Sequence, residues 1–432
     1  MEYFIGIDLG TSSVKVLLLG DDGNVVSTVT KEYPVSFLHS GWSEQNPEDW
    51  YNQTISALKE ILTNINANNV CSISFSGQMH GLVMLDEGDN IIRPAILWND
   101  SRSQQETDTL NENKDFLLDC TSNIAFAGFT LPKLLWVKEN EPENYSKINK
   151  VMLPKDYLAY RLSGSFCTDV SDASGTLYFD VKNRKWSTEI LEKYEIKETW
   201  LPKVLESDEC AGIIKPELQN KFSMGETKVI IGAGDNAAAA IGTGTVKDGD
   251  CNISLGTSGT IFTVSDKHNL DRESAIHSFC SASRNYHQMA CMLSAAVCCN
   301  WWVEKILNDD YSSVFAKENK LGENEIYFLP YLMGERSPLN DTDVRGMFYG
   351  MSLDTDKDDM SLAVLEGVAF ALKHNIDIIK NMGIEITSSN ICGGGTKNKL
   401  WLKIIANVLN IKVDVLEVEE GPALGGAMLA AV

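Results

Sequence analysis

Two acidic residues stand where strands are predicted to end. Asp8 follows the apolar run Tyr3–Ile7, and Asp235 follows the run Val229–Ile231 and the turn Gly232–Gly234. A carboxylate at the carboxyl end of a buried strand lies where ligands meet catalytic groups in α/β sheets. A positioned carboxylate that takes a proton from a hydroxyl accelerates a reaction by roughly 10²–10⁴-fold. The alternatives are that Asp8 caps its own turn and that Asp235 is a helix N-cap before four alanines.

A four-residue word, Leu-Gly-Thr-Ser, occurs once in each half of the chain. It stands at Leu9–Ser12 and again at Leu255–Ser258, each time between two predicted strands. Glycine permits close backbone approach, and hydroxyls and N–H groups can converge on an anion, so both turns are candidate phosphate sites. A carboxylate beside phosphates needs a cation between them, which makes Asp8 a candidate Mg²⁺ site through water; Ser254 takes its place in the second copy. The alternative is two unrelated hairpin turns.

Two further loops could bind a ligand. The three glycines of Gly393–Asn398 precede a predicted helix and could pack against a flat ring, although the same stretch could be a plain strand–helix turn. It lacks the Gly-Lys-Ser/Thr ending of a P-loop. Gln78–Gly81, with Trp98, Asp100 and Arg102, could form a wall that recognises hydroxyls. The alternative for His80 is a structural hydrogen bond.

The elements that must position these residues alternate between strands and helices, which predicts an α/β fold of two similar halves. The expected domains are 1–244 and 245–432, joined near the glycine-rich stretch Gly242–Gly249, and 103–225 is expected to be an insertion or cap. The predicted strands are 3–8, 13–19, 25–29, 70–75, 82–85, 228–232, 251–264 (a hairpin), 390–392 and 412–415. One predicted helix begins at Asn46. The others cover 131–138, 157–162, 235–241, 295–307, 356–382, 399–409 and 423–431.

Composition excludes several classes of function. The chain has 432 residues and a net charge of −23, which argues against a nucleic-acid or anionic-membrane surface. No apolar run reaches the roughly 18 residues of a membrane helix. The ten cysteines form no Cys-x-x-Cys pair, and no secretory leader is visible, so we expect a cytoplasmic protein with reduced thiols. No His/Cys/Asp/Glu cluster has the spacing of a zinc site.

Taken together and in order, the motifs of the chain resemble those of the FGGY carbohydrate kinases over nearly its whole length. The segments that carry the resemblance are Ile5–Ser12, Gly41–Gln45, Gln78–Gly81, Trp98–Arg102, Lys155–Leu158, Thr168–Asp169, Ser171–Thr176, Gly234–Asn236, Tyr331–Pro338 and Gly393–Lys397 with Trp401. The resemblance implies an actin-like ATPase fold of two ribonuclease-H-like lobes, with ATP and sugar bound in a central cleft.

The resemblance also implies a role for each candidate residue. Asp235 would be the base that deprotonates the sugar hydroxyl, and Asp8 would serve Mg²⁺–ATP. The residues implied to contact the sugar are Met79, His80, Asp235 and Asn236. Those implied to line the phosphates are Gly10, Thr11, Ser12, Thr257 and Ser258. Those implied to hold the adenosine part are Gly394, Gly395 and Asn398, with Trp302 as a further candidate.

The activity that the resemblance implies is ATP-dependent phosphorylation of a ketopentose, with D-xylulose and its terminal hydroxyl as the leading candidate. The alternatives are another sugar or polyol as substrate (ribulose, gluconate or glycerol) and a non-catalytic, actin-like nucleotide-binding protein. No nucleic-acid or membrane partner is expected, and a homodimer is allowed for. The chain stops at Val432, inside a predicted helix, so we expect the family's last C-terminal helices to be missing.

Overall fold

The structure, a computed structural model, describes residues 1–315, 321–416 and 421–432. Contacts divide these residues into two units. The first contains residues 1–244, residues 279–285 and the C-terminal helix, and the second contains the described residues of 245–278 and 286–416. The division after Gly244 falls within the glycine-rich stretch in which the sequence places the boundary. None of the described helices is long and apolar enough to cross a membrane.

The first unit is built on one seven-stranded sheet with helices around it. Its strands are β1 (Tyr3–Leu9), β2 (Ser13–Gly20), β3 (Val25–Glu32), β4 (Glu44–Gln45), β5 (Val70–Gly77), β6 (Val83–Leu85), β7 (Ala95–Ile96), β8 (Lys150–Met152), β9 (Cys167–Asp169), β10 (Phe179–Asp180), β11 (Lys185–Trp186), β12 (Lys203–Leu205), β13 (Cys210–Ile213), β14 (Lys228–Ile230) and β15 (Ala233–Gly234). Its α-helices are α1 (Pro47–Ile61), α2 (Gln104–Asn111), α3 (Lys114–Thr121), α4 (Thr130–Asn140), α5 (Pro142–Ser146), α6 (Pro154–Ser163), α7 (Val170–Ala173), α8 (Thr188–Tyr194), α9 (Pro216–Phe222) and α10 (Asp235–Gly242). Its 3-10 helices are Ala67–Asn69, Ser174–Thr176 and Glu198–Trp200.

The second unit contains a six-stranded sheet. Its strands, with those of a separate hairpin, are β16 (Cys251–Leu255), β17 (Gly259–Ser265), β18 (His277–Cys280), β19 (Tyr286–Met292), β20 (Tyr327–Leu329), β21 (Met347–Tyr349), β22 (Ser388–Cys392) and β23 (Lys412–Val415). Its helices are α11 (Ala296–Asn300), the π-helix Trp301–Leu307, α12 (Tyr311–Val314), α13 (Lys357–Asn381), the 3-10 helix Gly394–Lys397 and α14 (Lys399–Leu409). The last element of the chain, α15 (Gly421–Ala431), belongs to the first unit.

The two sheets share one strand order. In the first, β3, β2 and β1 form an antiparallel meander, and β5 and β14 follow as parallel strands beside β1. In the second, β19, β17 and β16 form the meander, and β22 and β23 are the parallel strands. The order 3-2-1-4-5 in both units is that of a ribonuclease-H-like fold. The predicted α/β class with two similar halves is therefore confirmed.

Local sequence signals explain where the principal helices begin. Asn46 caps α1 by accepting a hydrogen bond from the amide of Glu48, and Pro47 occupies the first helical position, where its missing N–H costs nothing. Asp356 and Asp359 form a reciprocal capping box at the start of α13. Both helix starts agree with the positions that the sequence predicts.

The stretch 103–225 is not one separate insertion, as the sequence predicts, because parts of it belong to the main core and the main sheet of the first unit. Helix α6 buries Tyr157, Leu158 and Leu162 in the main core of the first unit, and β13 is an edge strand of its main sheet. Strand β13 has only four residues, none of them fully buried, so it carries no alternating hydrophobic pattern. Its place in the sheet follows from pairing with β14, which the local sequence does not reveal.

The C-terminal helix packs on the first sheet at backbone distance, although the sequence assigns all of 245–432 to the second domain. A Cβ on Gly6 of β1 would lie 2.0 Å from the carbonyl oxygen of Ala423, and one on Gly425 would lie 1.8 Å from that of Ala238 in α10. Such close approach of two backbones is possible only where one of the two residues is glycine. Glycines on both sides of α15 therefore allow it to lie between β1 and α10.

We predict that Gly425→Ala destabilises the first unit by about 2–3 kcal/mol, in the upper range for overpacking, even though alanine favours helix by about 1 kcal/mol. The added methyl group meets a backbone carbonyl, which cannot rotate away. The measurement is the urea unfolding midpoint. Gly421→Ala is the matched control, because a Cβ there meets only the Cβ of Ala239, at 3.8 Å. Equal stability of the two variants would contradict the close packing of α15.

Candidate active site

The two candidate acids lie on either side of the end of β5. Asp8 in β1 is in register with Ser76 of β5, and Gly234 of β15, which precedes Asp235, is in register with Gly77. Since neighbouring strands are spaced about 4.8 Å apart, two strand spacings put the backbones of the acids about 10 Å apart. The fold thus brings together two residues from opposite ends of the first domain.

Asp8 is partly buried at the end of β1. The hydroxyl of Ser76 donates a hydrogen bond of 2.9 Å to its Oδ1, and Lys15 is its register partner on β2. Burial raises the pKa of Asp8, and the Ser76 hydrogen bond and the charge of Lys15 offset only part of this effect. The carboxylate is therefore short of positive charge, which is a property expected of a group that faces a cation.

Asp235 is the first residue of α10, and Gly234 is the N-cap. The cap that the sequence offered as an alternative for Asp235 is thus not its role. Its Oδ1 accepts hydrogen bonds from the backbone N–H of Asn236 at 2.7 Å and from the Asn236 Nδ2 at 2.9 Å. Burial and the negative charge of Asp8 raise the pKa of Asp235 to about 7. A carboxyl group with this pKa can accept and release a proton near neutral pH.

Met79 lies against the glycine that precedes Asp235, and His80 follows Met79 in the chain. A Cβ on Gly234 would come within 3.0 Å of the Met79 sulfur, so the missing side chain gives Met79 its place. His80 has a positive φ of 67° and its Nδ1 lies 2.8 Å from the carbonyl oxygen of Gly175. Its ring packs on Phe129, with a centroid distance of 4.6 Å. The structural hydrogen bond that the sequence offered as an alternative for His80 is present, and it fixes the ring in place.

The first Leu-Gly-Thr-Ser turn directs its carbonyl oxygens towards the protein. Those of Gly10, Thr11 and Ser12 accept hydrogen bonds from the Tyr33 hydroxyl, the Gln45 side chain and the Tyr33 amide. The Ser12 side chain is exposed, and the Thr11 hydroxyl accepts from the indole N–H of Trp98 at 2.9 Å. Three of its carbonyl oxygens are therefore turned away from any anion that its N–H and hydroxyl groups bind.

Asp100 and Arg102, expected in the hydroxyl-recognising wall, bind each other instead. An Arg102 guanidinium nitrogen lies 2.7 Å from Asp100 and another lies 2.6 Å from Glu44, and all three side chains are almost fully buried. The guanidinium also lies over the ring of Trp42 at 3.8 Å. Their polar atoms are thus engaged within the protein, which leaves Met79 and His80 as the candidate sugar-contacting residues of this region.

In the second unit, the other two candidate segments lie against each other. Strands β16 and β22 pair in parallel, so the turn Leu255–Ser258 and the glycine-rich turn leave the sheet at the same edge. A Cβ on Gly393 would lie 2.6 Å from the Leu255 carbonyl oxygen. Thr257 and Ser258 are exposed, while the carbonyls of Gly256 and Thr257 accept amides from the start of α11.

The residues expected to hold adenosine differ in their unpaired polar atoms, in the open space around them and in their burial. Asn398 caps α14 through its Oδ1, which accepts from the Trp401 amide at 3.1 Å, and its buried Nδ2 has no hydrogen-bond partner. A Cβ on Gly394 would meet nothing within 4 Å, so this glycine borders open space. Trp302, by contrast, is 3% exposed in the core, and its indole N–H donates to Ser361. The sequence-based assignment of Trp302 to the adenosine site is not supported, because the ring is covered.

Among the described residues, no group of three or more His, Cys, Asp or Glu side chains could hold a metal ion. Asp8 and Asp235 nonetheless fit Mg²⁺ that is bound mainly by phosphate oxygens and water. The pKa values of both carboxyl groups are raised by burial, and the charge of Asp8 raises that of Asp235 further. A divalent cation near these groups would relieve their lack of positive charge.

Several residues that shape the site were missed as such from the sequence. Lys133 is fully buried and donates from Nζ to the carbonyl oxygen of His80 at 2.9 Å, and burial lowers its pKa to about 7. Gly175 accepts from His80, and Ser171 accepts the amide of Gly234 at 3.1 Å. Two signals were available: the segment Ser171–Thr176, which carries the resemblance without an assigned role, and a lysine, Lys133, inside the apolar run Leu131–Val137 of helix α4.

Comparison with known proteins agrees with this geometry. The N-terminal domain of the FGGY family of carbohydrate kinases matches residues 3–242, and its C-terminal domain matches residues 251–432. The chain is 40% identical to a xylulose kinase of Staphylococcus xylosus over 440 aligned residues, covering 100% of this chain and 91% of the relative. It is 40% identical to the xylulose kinase of Escherichia coli strain K12, with coverages of 99% and 90%.

Among solved structures, a "xyloylose kinase" from Brucella ovis superposes with a TM-score of 0.95 at 41% identity, covering 100% of this chain and 90% of that one. The two domain matches together span almost the whole chain, and the relatives at this identity agree with them on the family. The chain belongs to the FGGY family of carbohydrate kinases.

Proposed function

We propose that the protein phosphorylates D-xylulose on its terminal hydroxyl with ATP and forms D-xylulose 5-phosphate and ADP. The observation that carries the proposal is the pair Asp8 and Asp235 at the end of β5, with the pKa of Asp235 raised to about 7 and Met79 against the glycine that precedes it. The xylulose kinases to which the chain is similar support the choice of sugar.

Asp235 is the general base in this proposal. Its carboxylate accepts the proton of the terminal sugar hydroxyl as the oxygen attacks the γ-phosphorus of ATP. The new O–P bond forms while the bond from the γ-phosphorus to the bridging oxygen breaks, and ADP leaves with that electron pair. Asn236, which already donates two hydrogen bonds to Asp235, fixes the carboxylate and contacts the sugar from the first turn of α10.

Asp8 would hold the metal side of the nucleotide through water, beside the first Leu-Gly-Thr-Ser turn. Mg²⁺, when bound, neutralises charge that develops on the phosphate oxygens. Gly10, Thr11 and Ser12 in the first unit and Thr257 and Ser258 in the second would bind phosphate with hydroxyl and N–H groups. Gly394, Gly395 and Asn398 would hold the adenosine part.

We place the reaction in the cytoplasm. All ten cysteines are free thiols, and five of them are buried. Such usage suits a reducing compartment. The metabolites that the proposal requires, ATP and a free pentulose, belong to the same compartment.

A sugar panel tests the proposed function. With ATP and Mg²⁺, ADP release should depend on a sugar and be fastest with D-xylulose among D-xylulose, D- and L-ribulose, gluconate and glycerol. Asp235→Asn should lower kcat by about 10²–10⁴-fold, the range for a lost general base, while ATP still binds. Asp22→Asn, in the exposed turn after β2, is the matched control and should be normal.

Two results of this panel would contradict the proposal. ADP release that ignores every sugar would favour a nucleotide-driven binding protein, and a preference for another sugar would reassign the substrate. Near-normal turnover of Asp235→Asn would contradict only the role of Asp235 as the general base.

The pH dependence of kcat/KM provides a second prediction. Asp235 must be ionised to accept a proton, and its pKa of about 7 lies above the ordinary value for aspartate. Activity is therefore lost as the pH falls through about 7, and kcat/KM for the sugar should decline about tenfold per pH unit below that point. An acidic limb centred near pH 4, the ordinary range of an aspartate, would show that neither burial nor Asp8 perturbs the base.

Gly394→Val tests the nucleotide side. Because nothing lies within 4 Å of a Cβ at this position, the protein itself tolerates the side chain, but the adenine ring would meet it. We expect the KM for ATP to rise at least about tenfold, equivalent to about 1.4 kcal/mol of lost binding, with an unchanged KM for sugar and an unchanged unfolding midpoint. Gly225→Val is the control, since its Cβ has similar room in the first unit. An unchanged KM for ATP would remove Gly394 from the nucleotide site.

A further inference from the structure

A short segment of the first unit, residues 169–176, is anchored by a buried cluster of charges. Lys155 Nζ lies 2.6 Å from Asp156, 2.8 Å from Asp169 and 3.6 Å from Asp172, and none of these side chains is more than 1% exposed. Burial alone would lower the pKa of Lys155, but the three aspartates together raise it above its usual value. The ammonium group is therefore charged and ties α6 to the segment.

Such a cluster is expensive to build. The loss of hydration of four buried ionisable groups costs about as much as their attraction returns, so an ion cluster of this kind adds little net stability. Both carboxylate oxygens of Asp172 are buried without a hydrogen-bond partner, which adds to the cost. What the cluster does provide is a fixed position for the backbone of residues 169–176.

Asp169 transmits that position to Ser171. The Asp169 side chain caps α7 by accepting from the backbone amide of Ser171 at 2.8 Å, and its Oδ2 also accepts from the Ser171 hydroxyl at 2.5 Å. A second hydroxyl, that of Ser207, donates to the same oxygen at 2.7 Å. The Ser171 side chain thus has one rotamer, set by a carboxylate that Lys155 holds.

The segment makes two contacts with the proposed site. Ser171 Oγ accepts the amide of Gly234 at 3.1 Å, immediately before Asp235. Four residues further on, the carbonyl oxygen of Gly175 lies 2.8 Å from His80 Nδ1. A Cβ on Gly175 would lie 2.3 Å from His80 Cε1, so the glycine also sets how closely the ring can approach.

We propose that residues 169–176 form one rigid positioning element that aligns the proposed base and the proposed sugar-contacting histidine with each other. Ser171 positions the loop that carries Asp235, and Gly175 positions His80. The inference rests on the proposed function, because it assigns these two contacts to the same phosphoryl-transfer site. A misplacement of the base by about 1 Å can cost about 10²-fold in rate, so a shared support is of direct value.

The two ends of the segment should give opposite kinetic signatures. Ser171→Ala frees the Gly234 amide and should lower kcat by about 10–100-fold, the effect of a slightly misplaced base, with the sugar KM unchanged within about twofold. Gly175→Ala pushes the His80 ring away and should raise the sugar KM by about tenfold or more, with a much smaller effect on kcat. Ser171→Thr keeps the hydroxyl and should recover most of the kcat that Ser171→Ala loses.

Ser207→Ala is the matched control. It removes a hydroxyl that donates to the same Asp169 oxygen, but Ser207 meets the turn before Asp235 through its backbone carbonyl, which accepts the Gly232 amide at 3.1 Å and is kept in the variant. Its kcat and sugar KM should therefore stay near those of the unaltered protein. Unfolding midpoints of all variants, measured in parallel, separate loss of folded protein from loss of alignment.

Two outcomes overturn the inference while leaving the proposed function intact. One is a Ser171→Ala variant no slower than Ser207→Ala. The other is a Gly175→Ala variant that loses kcat with an unchanged sugar KM, as Ser171→Ala does, which is the result expected if the segment only supports folding. If the unaltered protein phosphorylates no sugar, both the proposed function and this inference fail.

Discussion

The constraint on which the site depends is the placement of two partly buried carboxyl groups on either side of one strand, where the charge of Asp8 opposes ionisation of Asp235. Asp8 arrives from β1 and Asp235 from the end of β15, and both strands pair with β5. Burial disfavours the charged form of each group, and the charge of Asp8 disfavours it further in Asp235. The same features that make this arrangement unfavourable give Asp235 a proton affinity suited to a base at neutral pH and make Asp8 a suitable neighbour for a cation.

The protein uses one architecture twice but divides the chemistry unequally. Both sheets have the same strand order, and in both a Leu-Gly-Thr-Ser turn joins the first two strands. Only the first copy is preceded by an acid, while Ser254 takes that position in the second. In the second unit the corresponding edge instead brings a glycine-rich turn against Leu255. Duplication thus accounts for two similar phosphate-binding candidates, and single substitutions account for their different roles in the proposal.

The fold and part of the site were predictable because their signals are local. Apolar runs, helix caps and glycine-rich turns predicted the strands and helices from which the fold is built. An acid after each of two predicted strands identified Asp8 and Asp235 as candidates. The resemblance to the family then assigned them roles. Asp22 and Gly23 in the turn between β2 and β3, and Asn46 with Pro47 at α1, are cases in which a few adjacent residues decide the structure.

The remaining features depend on partners that are distant in sequence. Asp100 and Arg102 looked available for a sugar until the fold paired Arg102 with both Asp100 and Glu44 in the interior. Trp302 became a core residue because α13 supplies Ser361 as its partner. The contact of His80 with Gly175 spans 95 residues, and no periodicity or local motif signals it. Long-range pairing of this kind is set by tertiary packing, which single-sequence patterns do not contain.

The central claim is that Asp235 carries a proton near neutral pH because of burial and the charge of Asp8. Infrared difference spectroscopy between acidic and alkaline samples measures it directly, with the spectrum of Asp235→Asn subtracted to isolate this carboxyl group. The account predicts that the protonated-carboxyl band assigned to Asp235 disappears with a midpoint near pH 7 and that Asp8→Asn moves the midpoint to lower pH. A midpoint near pH 4 in the unaltered protein, or one that Asp8→Asn leaves in place, would contradict it.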